Sequence, residues 1–121
     1  MPTSADLVGF LSEPANYPQP PECVELIETH ISWVFLAGDV VYKLKKPVQF
    51  EFLDFTTPAA REFSCREELR LNRRLAPGVY LDVLPVTVHE PGRFEIGGAG
   101  RPVDWLAQMR RYRTAAGRTS R

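Results

Sequence analysis

Apolar and polar residues alternate along the segment 40–46, which reads Val-Val-Tyr-Lys-Leu-Lys-Lys. A period of two places successive side chains on opposite faces of a β-strand. One face of the predicted strand therefore carries the ammonium groups of Lys43 and Lys45, and the opposite face is apolar. The residues of the apolar face are Val40, Tyr42 and Leu44.

Further apolar runs predict a set of short strands around this one. The run 31–36 is joined to segment 40–46 by Gly38-Asp39, and both of these residue types tolerate the positive φ of a hairpin turn. Segment 103–109 fits a strand or a helix, and the pattern leaves both open. The other predicted strands are 23–27, 79–88 and 93–96, with a turn at Pro91-Gly92 between the last two.

Two segments have helical signals. Thr57-Pro58 combines a hydroxyl cap with a proline at the first helical position, and good helix formers continue to Leu75 before Ala76-Pro77-Gly78 ends the run. Phe63, Leu71 and Leu75 are spaced to share one face of this helix. A shorter helix is predicted near the amino terminus, capped by Thr3 or Ser4.

At 121 residues the chain has room for one domain. Three strands, one long helix and then two or three strands indicate an antiparallel sheet with a helix against one face, which is the α+β class. We divide the chain into an amino-terminal helix and proline-rich arm (1–22), the main fold (23–112) and a disordered basic tail (113–121).

Fifteen basic side chains balance fifteen acidic ones, so the formal net charge is zero and provides no long-range attraction for nucleic acid or an anionic membrane. The helix arginines are balanced by glutamates, which is typical of a solvated face. No apolar run reaches the roughly 20 residues of a membrane span. Cys23 and Cys65 lack a C-x-x-C pattern, which argues against a metal site or a redox motif. Reduced thiols in a cytosolic chain are then the default expectation. We expect a cytoplasmic protein without nucleic-acid or membrane partners.

The three lysines all lie within segment 43–46, whereas the other twelve basic residues are arginines. An ammonium is a compact point charge that suits a phosphate group, so Lys43 or Lys45 is a candidate phosphate ligand. The simpler alternative is a half-solvated strand whose lysines face water.

Glu68 on the predicted helix is the expected partner of a strand lysine. Its spacing from Leu71 and Leu75 places it on their face, which predicts an inward carboxylate. An inward carboxylate is costly unless a cation meets it. Glu67, in contrast, is expected to make only surface pairs with neighbouring arginines.

Four segments together resemble the aminoglycoside-phosphotransferase-like family of the protein-kinase-like fold, of the type often fused to a P-loop kinase domain. The similarity runs from about 23 to 112 and implies the amino-terminal lobe, with a roughly five-stranded antiparallel sheet and one long helix. In that lobe, segment 103–109 would be the fifth strand. The segments are Thr29-His-Ile-Ser-Trp-Val-Phe-Leu36, Val41-Tyr-Lys-Leu-Lys-Lys-Pro47, Phe52-Leu-Asp-Phe55 and Glu68-Leu-Arg-Leu-Asn-Arg-Arg-Leu-Ala-Pro77.

The resemblance implies that ATP is the cofactor of a small-molecule phosphotransferase. Lys43 would orient the phosphates and Glu68 would hold Lys43, with Lys45 as the other candidate for the phosphate lysine. The remaining implied positions are Thr29 and His30 in the loop over the phosphates, and Met109 and Arg110 in the hinge beside the adenine.

Kinase-like catalysis also needs a catalytic Asp, an Asn for metal and a second metal-binding Asp. Neither His30 nor His89 begins an H-x-D pattern, and neither Asp-Phe-Gly nor a P-loop pattern occurs. Mg²⁺ would have to be held by a second lobe. We therefore expect this chain alone to bind ATP weakly and to lack turnover, and we expect its partner to be a second lobe or a P-loop kinase domain encoded separately.

Two other interpretations remain open from the sequence. One is a non-catalytic binding module that docks a partner through the exposed cleft face, for which an exposed apolar patch around Leu36, Met109 and Tyr112 is expected. The other is a truncated gene product without a selected role.

Overall fold

The computed structural model describes residues 2–89, 92–113 and 119–120, with the backbone alone described for 112–113 and 119–120. Within these residues the fold is α+β, with two α-helices and an antiparallel sheet of six strands. The helices are α1 (Ser4–Leu11) and α2 (Pro58–Leu75). The strands are β1 (Val24–Glu28), β2 (Ser32–Ala37), β3 (Val40–Lys45), β4 (Gln49–Phe50), β5 (Leu53–Asp54), β6 (Tyr80–His89), β7 (Arg93–Ile96), β8 (Arg101–Arg110), β9 (Tyr112–Arg113) and β10 (Thr119–Ser120).

The main sheet has the strand order β1-β2-β3-β8-β6-β7, and every neighbouring pair is antiparallel. The expected number of five strands was wrong. The sixth member is β7, which pairs with the second half of β6, where Val86 lies opposite Ile96. A strand has two hydrogen-bonding edges, and β6 pairs with β8 along one edge and with β7 along the other. The ambiguous segment 103–109 lies inside the long central strand β8.

One face of the sheet is covered by the amino-terminal segment. The helix α1 begins at a capping box in which Thr3 and Asp6 exchange hydrogen bonds, as the hydroxyl cap predicted. Its Leu7 and Leu11 pack with Tyr17 onto the apolar face of the sheet. The described part of the amino-terminal arm, residues 2–22, therefore shares a hydrophobic core with the strands. The sheet residues buried in that core are Phe35, Ala37, Tyr42, Leu44, Val86, Ile96 and Leu106.

The opposite face of the sheet is packed against α2. The helix begins where the sequence predicted, with the Thr57 hydroxyl accepting the Ala60 N–H and proline at the first helical position. Cys65 and Leu69 of α2 pack against Val83 and Ala107 of the adjacent strands β6 and β8.

The expected apolar stripe of α2 is not its buried face. Phe63, Leu71 and Leu75 are all exposed, whereas Arg61 and Cys65 are buried. Phe63 lies two residues beyond Arg61, about 200° around the helix, so it faces away from the sheet. Leu75 is in the last turn. The stripe that meets the sheet thus combines the charged residues Arg61 and Glu68 with Cys65 and Leu69, and ion pairs contribute to holding the helix in place.

The alternation predicted for β3 is confirmed. Tyr42 and Leu44 are buried in the core beneath α1, and Lys43 and Lys45 lie on the face that meets α2. Antiparallel pairing places Lys43 between Val34 of β2 and Ala107 of β8. The turn that precedes β3 has Gly38 at φ 67°, the left-handed conformation expected of the hairpin.

Two short ladders complete the fold. Strands β4 and β5 form a small hairpin before α2, and β9 pairs with β10. Most of the predicted tail 113–121, namely 114–118 and 121, lies outside the described residues. The same is true of Pro91 in the predicted turn 91–92. Within the described part of the chain, no helix is long and apolar enough to cross a membrane.

Candidate functional site

The carboxylate of Glu68 is the centre of a polar cluster between α2 and the sheet. Its Oε1 accepts a hydrogen bond from Lys45 Nζ at 2.8 Å, and its Oε2 accepts one from Lys43 Nζ at 2.9 Å. The Tyr80 hydroxyl donates to the same Oε2 at 2.8 Å. These four residues, Lys43, Lys45, Glu68 and Tyr80, are called the Glu68 cluster below.

The two lysines of the Glu68 cluster differ in their access to solvent. The Lys45 side chain is 5% exposed, and its ammonium lies 5.6 Å from the centre of the Phe55 ring. The Lys43 side chain is 25% exposed, and Glu68 is 17% exposed. Lys45 is therefore a buried counter-charge, and Lys43 is the lysine of the pair that an external anion reaches more easily.

The pKa of the Glu68 carboxyl reflects this double pairing. Burial by itself would raise that pKa, but the charges of Lys45 and Lys43 and their hydrogen bonds outweigh burial and lower the pKa to about 2. Glu68 is thus an anion at neutral pH. With two ammonium groups and a neutral phenol beside it, the Glu68 cluster carries one net positive charge.

Tyr80 is a member of this site that the sequence analysis missed. A regular strand would place Tyr80 and Val83 on opposite faces because they are three residues apart. The pairing of β6 with β8 shifts register between Tyr80 and Asp82, so Tyr80 lies opposite Met109 while Val83 lies opposite Ala107. This bulge turns the phenol toward α2. No signal in the sequence marks the bulge.

Cys65 lies in the wall of the site, one turn before Glu68 on α2. Its side chain is completely buried. Burial raises the pKa of the Cys65 thiol to about 11. The thiol is therefore neutral at physiological pH and acts as an apolar packing group rather than as a nucleophile.

Thr29 and His30, the positions implied for a phosphate-covering loop, lie in the turn between β1 and β2. The Thr29 hydroxyl donates to the Ser32 carbonyl at 3.2 Å and accepts the Ser32 N–H at 3.0 Å, so its hydrogen bonds stabilise the turn itself. His30 is exposed. The turn is near the Lys45 end of β3, because the Lys46 N–H donates to the Ile31 carbonyl.

Met109 and Arg110, the implied hinge, lie near the other end of β3. Met109 is opposite Val41, on the face of the sheet that carries Lys43, and is half-buried. Arg110 is opposite Val40, and its Nε donates to the Gly78 carbonyl at 3.0 Å. The structure thus brings Lys43, Lys45 and Glu68 into direct contact, and it distributes the other predicted residues along the two ends of β3.

The apolar patch expected around Leu36, Met109 and Tyr112 is not formed as predicted. Leu36 is buried and Met109 is half-buried, while the Tyr112 side chain lies outside the described residues. Among the side chains that the structure describes, the large apolar ones with the greatest exposure are instead Phe52 and Leu75.

No group of three or more His, Cys, Asp or Glu residues is arranged to hold a metal ion in the part of the chain that the structure describes. The Glu68 cluster presents an ammonium group next to a fixed carboxylate. Such a pair can bind and orient an anion.

Comparison with known proteins identifies similar sequences but does not assign the chain to a family. No protein-family model matches the sequence, and no solved structure matches it. The relatives include the uncharacterized protein Mb2027c of Mycobacterium bovis and the uncharacterized protein Rv2004c of Mycobacterium tuberculosis. Each is 42% identical to this chain over 90 residues, which is 74% of this chain. The same 90 residues are 16% of the length of each relative, so the chain is similar to a small part of much longer proteins.

Proposed function

We propose that this chain is a nucleotide-positioning lobe of the kinase-like type, in which Lys43 binds the phosphates of ATP for transfer to a small-molecule hydroxyl. The observation that carries the proposal is the pairing of a partly exposed strand lysine with a fixed helix glutamate, Lys43 Nζ to Glu68 Oε2 at 2.9 Å. Glu68 positions the ammonium, and the ammonium supplies a point charge for a phosphate oxygen.

The net charge of the Glu68 cluster fits this ligand. A single lysine–glutamate pair would be neutral and would attract an anion weakly. Lys45 supplies a second positive charge from a buried position, so the cluster retains one positive charge next to the more exposed Lys43. In a site that is partly shielded from water, that excess charge favours an anionic group such as a phosphate.

Transfer of the phosphoryl group requires chemistry beyond this cluster. ATP would bring its own Mg²⁺, and the residues that hold the metal and activate the acceptor hydroxyl would come from a second lobe. In the 121-residue sequence the patterns that usually supply those groups are missing. The lobe is therefore proposed to position nucleotide and to depend on a second lobe or a separate kinase domain for turnover.

The test is calorimetric titration of the pure chain with ATP and, in parallel, with adenosine. ATP is expected to bind with a Kd of about 1 mM or tighter, and adenosine is expected to bind several-fold more weakly because it lacks the phosphates. Equal binding of the two ligands, or no binding of ATP, contradicts the proposal. A coupled phosphotransfer assay on the same sample is expected to show no turnover. Measurable turnover would show that the chain does not depend on a second lobe.

A docking module is the second candidate function. It is favoured by the exposed apolar side chains of Phe52, Phe63 and Leu75, since exposed apolar surface often marks a contact site. Size-exclusion chromatography distinguishes the two functions. Concentration-dependent association without ATP binding would favour docking, and a monomer that binds ATP would favour the nucleotide lobe.

A further inference from the structure

A cavity of about 430 Å³ lies between the proline-rich arm and the turn that joins β2 to β3. Its lining comes from the arm between residues 17 and 21, from the turn 37–40, and from Tyr42 and Gln108. Ligand sites in proteins measure roughly 300 to 1,000 Å³. The cavity is therefore large enough for a small organic molecule.

This cavity is separate from the Glu68 cluster. Tyr42 lies on the face of β3 that is buried beneath α1, whereas Lys43, the next residue of the strand, meets α2 on the other face. The sheet therefore lies between the two sites, and a molecule in the cavity does not contact Glu68.

Rigid rings form the floor and the wall of the cavity. Tyr17 and Tyr42 are both buried, with ring centres 5.0 Å apart, and the Tyr17 hydroxyl donates to the Leu11 carbonyl, which fixes its ring. Pro18 and Pro21 contribute to the wall, and a proline ring restricts the backbone of the arm. Because these surfaces are pre-formed, a flat ligand would pay little to order them.

The polar groups of the cavity meet at Tyr42 and Gln108. Gln108 Nε2 donates to the Tyr42 hydroxyl at 3.3 Å. The Gln108 amide then retains a second N–H and a carbonyl oxygen, and the Tyr42 phenol retains its own proton. Within residues 2–89 and 92–111, no other protein group is hydrogen-bonded to these atoms. The two side chains together offer hydrogen-bond donors and an acceptor to a ligand.

The charges around the cavity favour an uncharged ligand. None of its lining residues is a lysine, arginine or histidine, and Asp39 is an exposed carboxylate at the rim. Arg111 also approaches the rim, where its Nη1 donates to the Gly38 carbonyl at 3.4 Å. The rim thus has one charge of each sign, and the floor is neutral. A charged ligand would lose its hydration there without meeting an opposite charge on the floor.

We propose that this cavity binds a small, uncharged, planar molecule that carries a hydrogen-bond donor and an acceptor side by side, as a carboxamide on an aromatic ring does. Gln108 and Tyr42 recognise the amide, and the tyrosine and proline rings pack against the planar group. This site goes beyond the proposed function, because it lies on the other face of the sheet and does not require ATP.

The first test is an NMR titration of the full chain with nicotinamide as the probe and nicotinate as the matched control. Nicotinamide is expected to bind with a Kd of about 1 mM and to shift the backbone signals of residues 37–42. Nicotinate has the same ring but carries a charge and lacks the N–H donors, so it is expected to bind at least about fivefold more weakly. Equal affinities, no shifts with nicotinamide, or shifts confined to other segments overturn the proposal.

The second test removes the polar groups of the cavity one at a time. Gln108→Leu keeps a side chain of similar size and is expected to weaken nicotinamide binding about fivefold or more. Tyr42→Phe removes only the hydroxyl and is expected to weaken it about two- to threefold. Glu67→Gln, an exposed position on α2, is the control and should leave the affinity unchanged.

Unchanged nicotinamide affinity in both Gln108→Leu and Tyr42→Phe overturns the proposal. If Gln108→Leu does not fold, the Tyr42→Phe result decides. Excess ATP is not expected to displace nicotinamide, because the sheet separates the two sites, and displacement would also overturn the proposal. Failure of the chain to bind ATP would count against the proposed function and would leave this site unaffected.

Discussion

Two carboxylates, the buried Asp104 and the partly buried Glu68, connect α2 with the rest of the domain. Asp104 of β8 accepts from Arg61 Nε at 2.9 Å, and these side chains are 7% and 8% exposed. Arg61 Nη1 also donates to the Phe55 carbonyl at 2.6 Å. The Glu68 cluster, in contrast, has a 25% exposed lysine at its edge.

The pKa shifts of the two carboxyl groups have opposite signs for a physical reason. Burial raises the pKa of Asp104, against the opposing effect of the single Arg61 guanidinium. Burial acts on Glu68 in the same direction, but two ammonium groups outweigh it. A closed pair with balanced charges serves to fix the helix. A pair with an extra cation and partial access to solvent retains the capacity to bind an anion.

The largest expected effect follows from breaking the closed pair. Arg61→Met leaves Asp104 as a buried carboxylate without its cation, and it is expected to reduce the free energy of unfolding by about 3–5 kcal/mol. Urea unfolding at pH 7 measures the change. The control is Arg61→Met combined with Asp104→Leu, which removes both charges and is expected to recover much of the loss. A loss below about 1 kcal/mol in the single variant would show that the pair does not fix the helix.

The next effect concerns pH. The pKa of Glu68 is lower in the folded state than its ordinary value of 4.5, so the unfolded chain binds more protons between pH 4.5 and about 2. The stability from Glu68 is therefore complete above pH 4.5, and it is lost as the pH falls toward 2. In the Glu68→Gln variant this part of the pH dependence should disappear. Its free energy of unfolding at pH 7 should be lower by roughly 3 kcal/mol. If the free energy of unfolding of Glu68→Gln fell below pH 4.5 as steeply as that of the original chain, the pairing of Glu68 with the two lysines would be contradicted.

The smallest effect is expected at the adjacent residue Glu67. This carboxylate pairs with Arg70 on the exposed side of the same helix, at 2.8 Å. Because exposed ion pairs are screened by water, Glu67→Gln should leave the urea midpoint at pH 7 unchanged within error. If Glu67→Gln lost as much stability as Glu68→Gln, burial of the carboxylate would not be what determines its contribution to stability.

Features of the fold that depend on local geometry could be predicted from the sequence. Alternation in β3 placed Lys43 and Lys45 on one face, and the cap at Thr57 located the start of α2. Glu68 was correctly expected to point inward. Its expected companions Leu71 and Leu75 proved to be exposed, and the face of α2 that meets the sheet instead includes Arg61, Cys65 and Leu69.

The remaining features depend on long-range pairing that no local pattern encodes. Tyr80 reaches Glu68 through a bulge in β6, and the bulge arises from register with β8. The contact between Arg61 and Asp104 joins residues 43 positions apart. The apolar runs predicted five or six strands, and the sheet has six, including β7. The number five was what the resemblance implied.

Phosphate binding by Lys43 is tested by comparing the ATP affinities of Lys43→Met and Lys46→Met. Lys46 is a matched control because it is a lysine of the same segment that pairs with Glu28 instead of Glu68. Calorimetry should show that ATP binds Lys43→Met about tenfold or more weakly than the original chain, and binds Lys46→Met with unchanged affinity. Equal ATP affinity in the Lys43→Met variant and the original chain would contradict phosphate binding by Lys43.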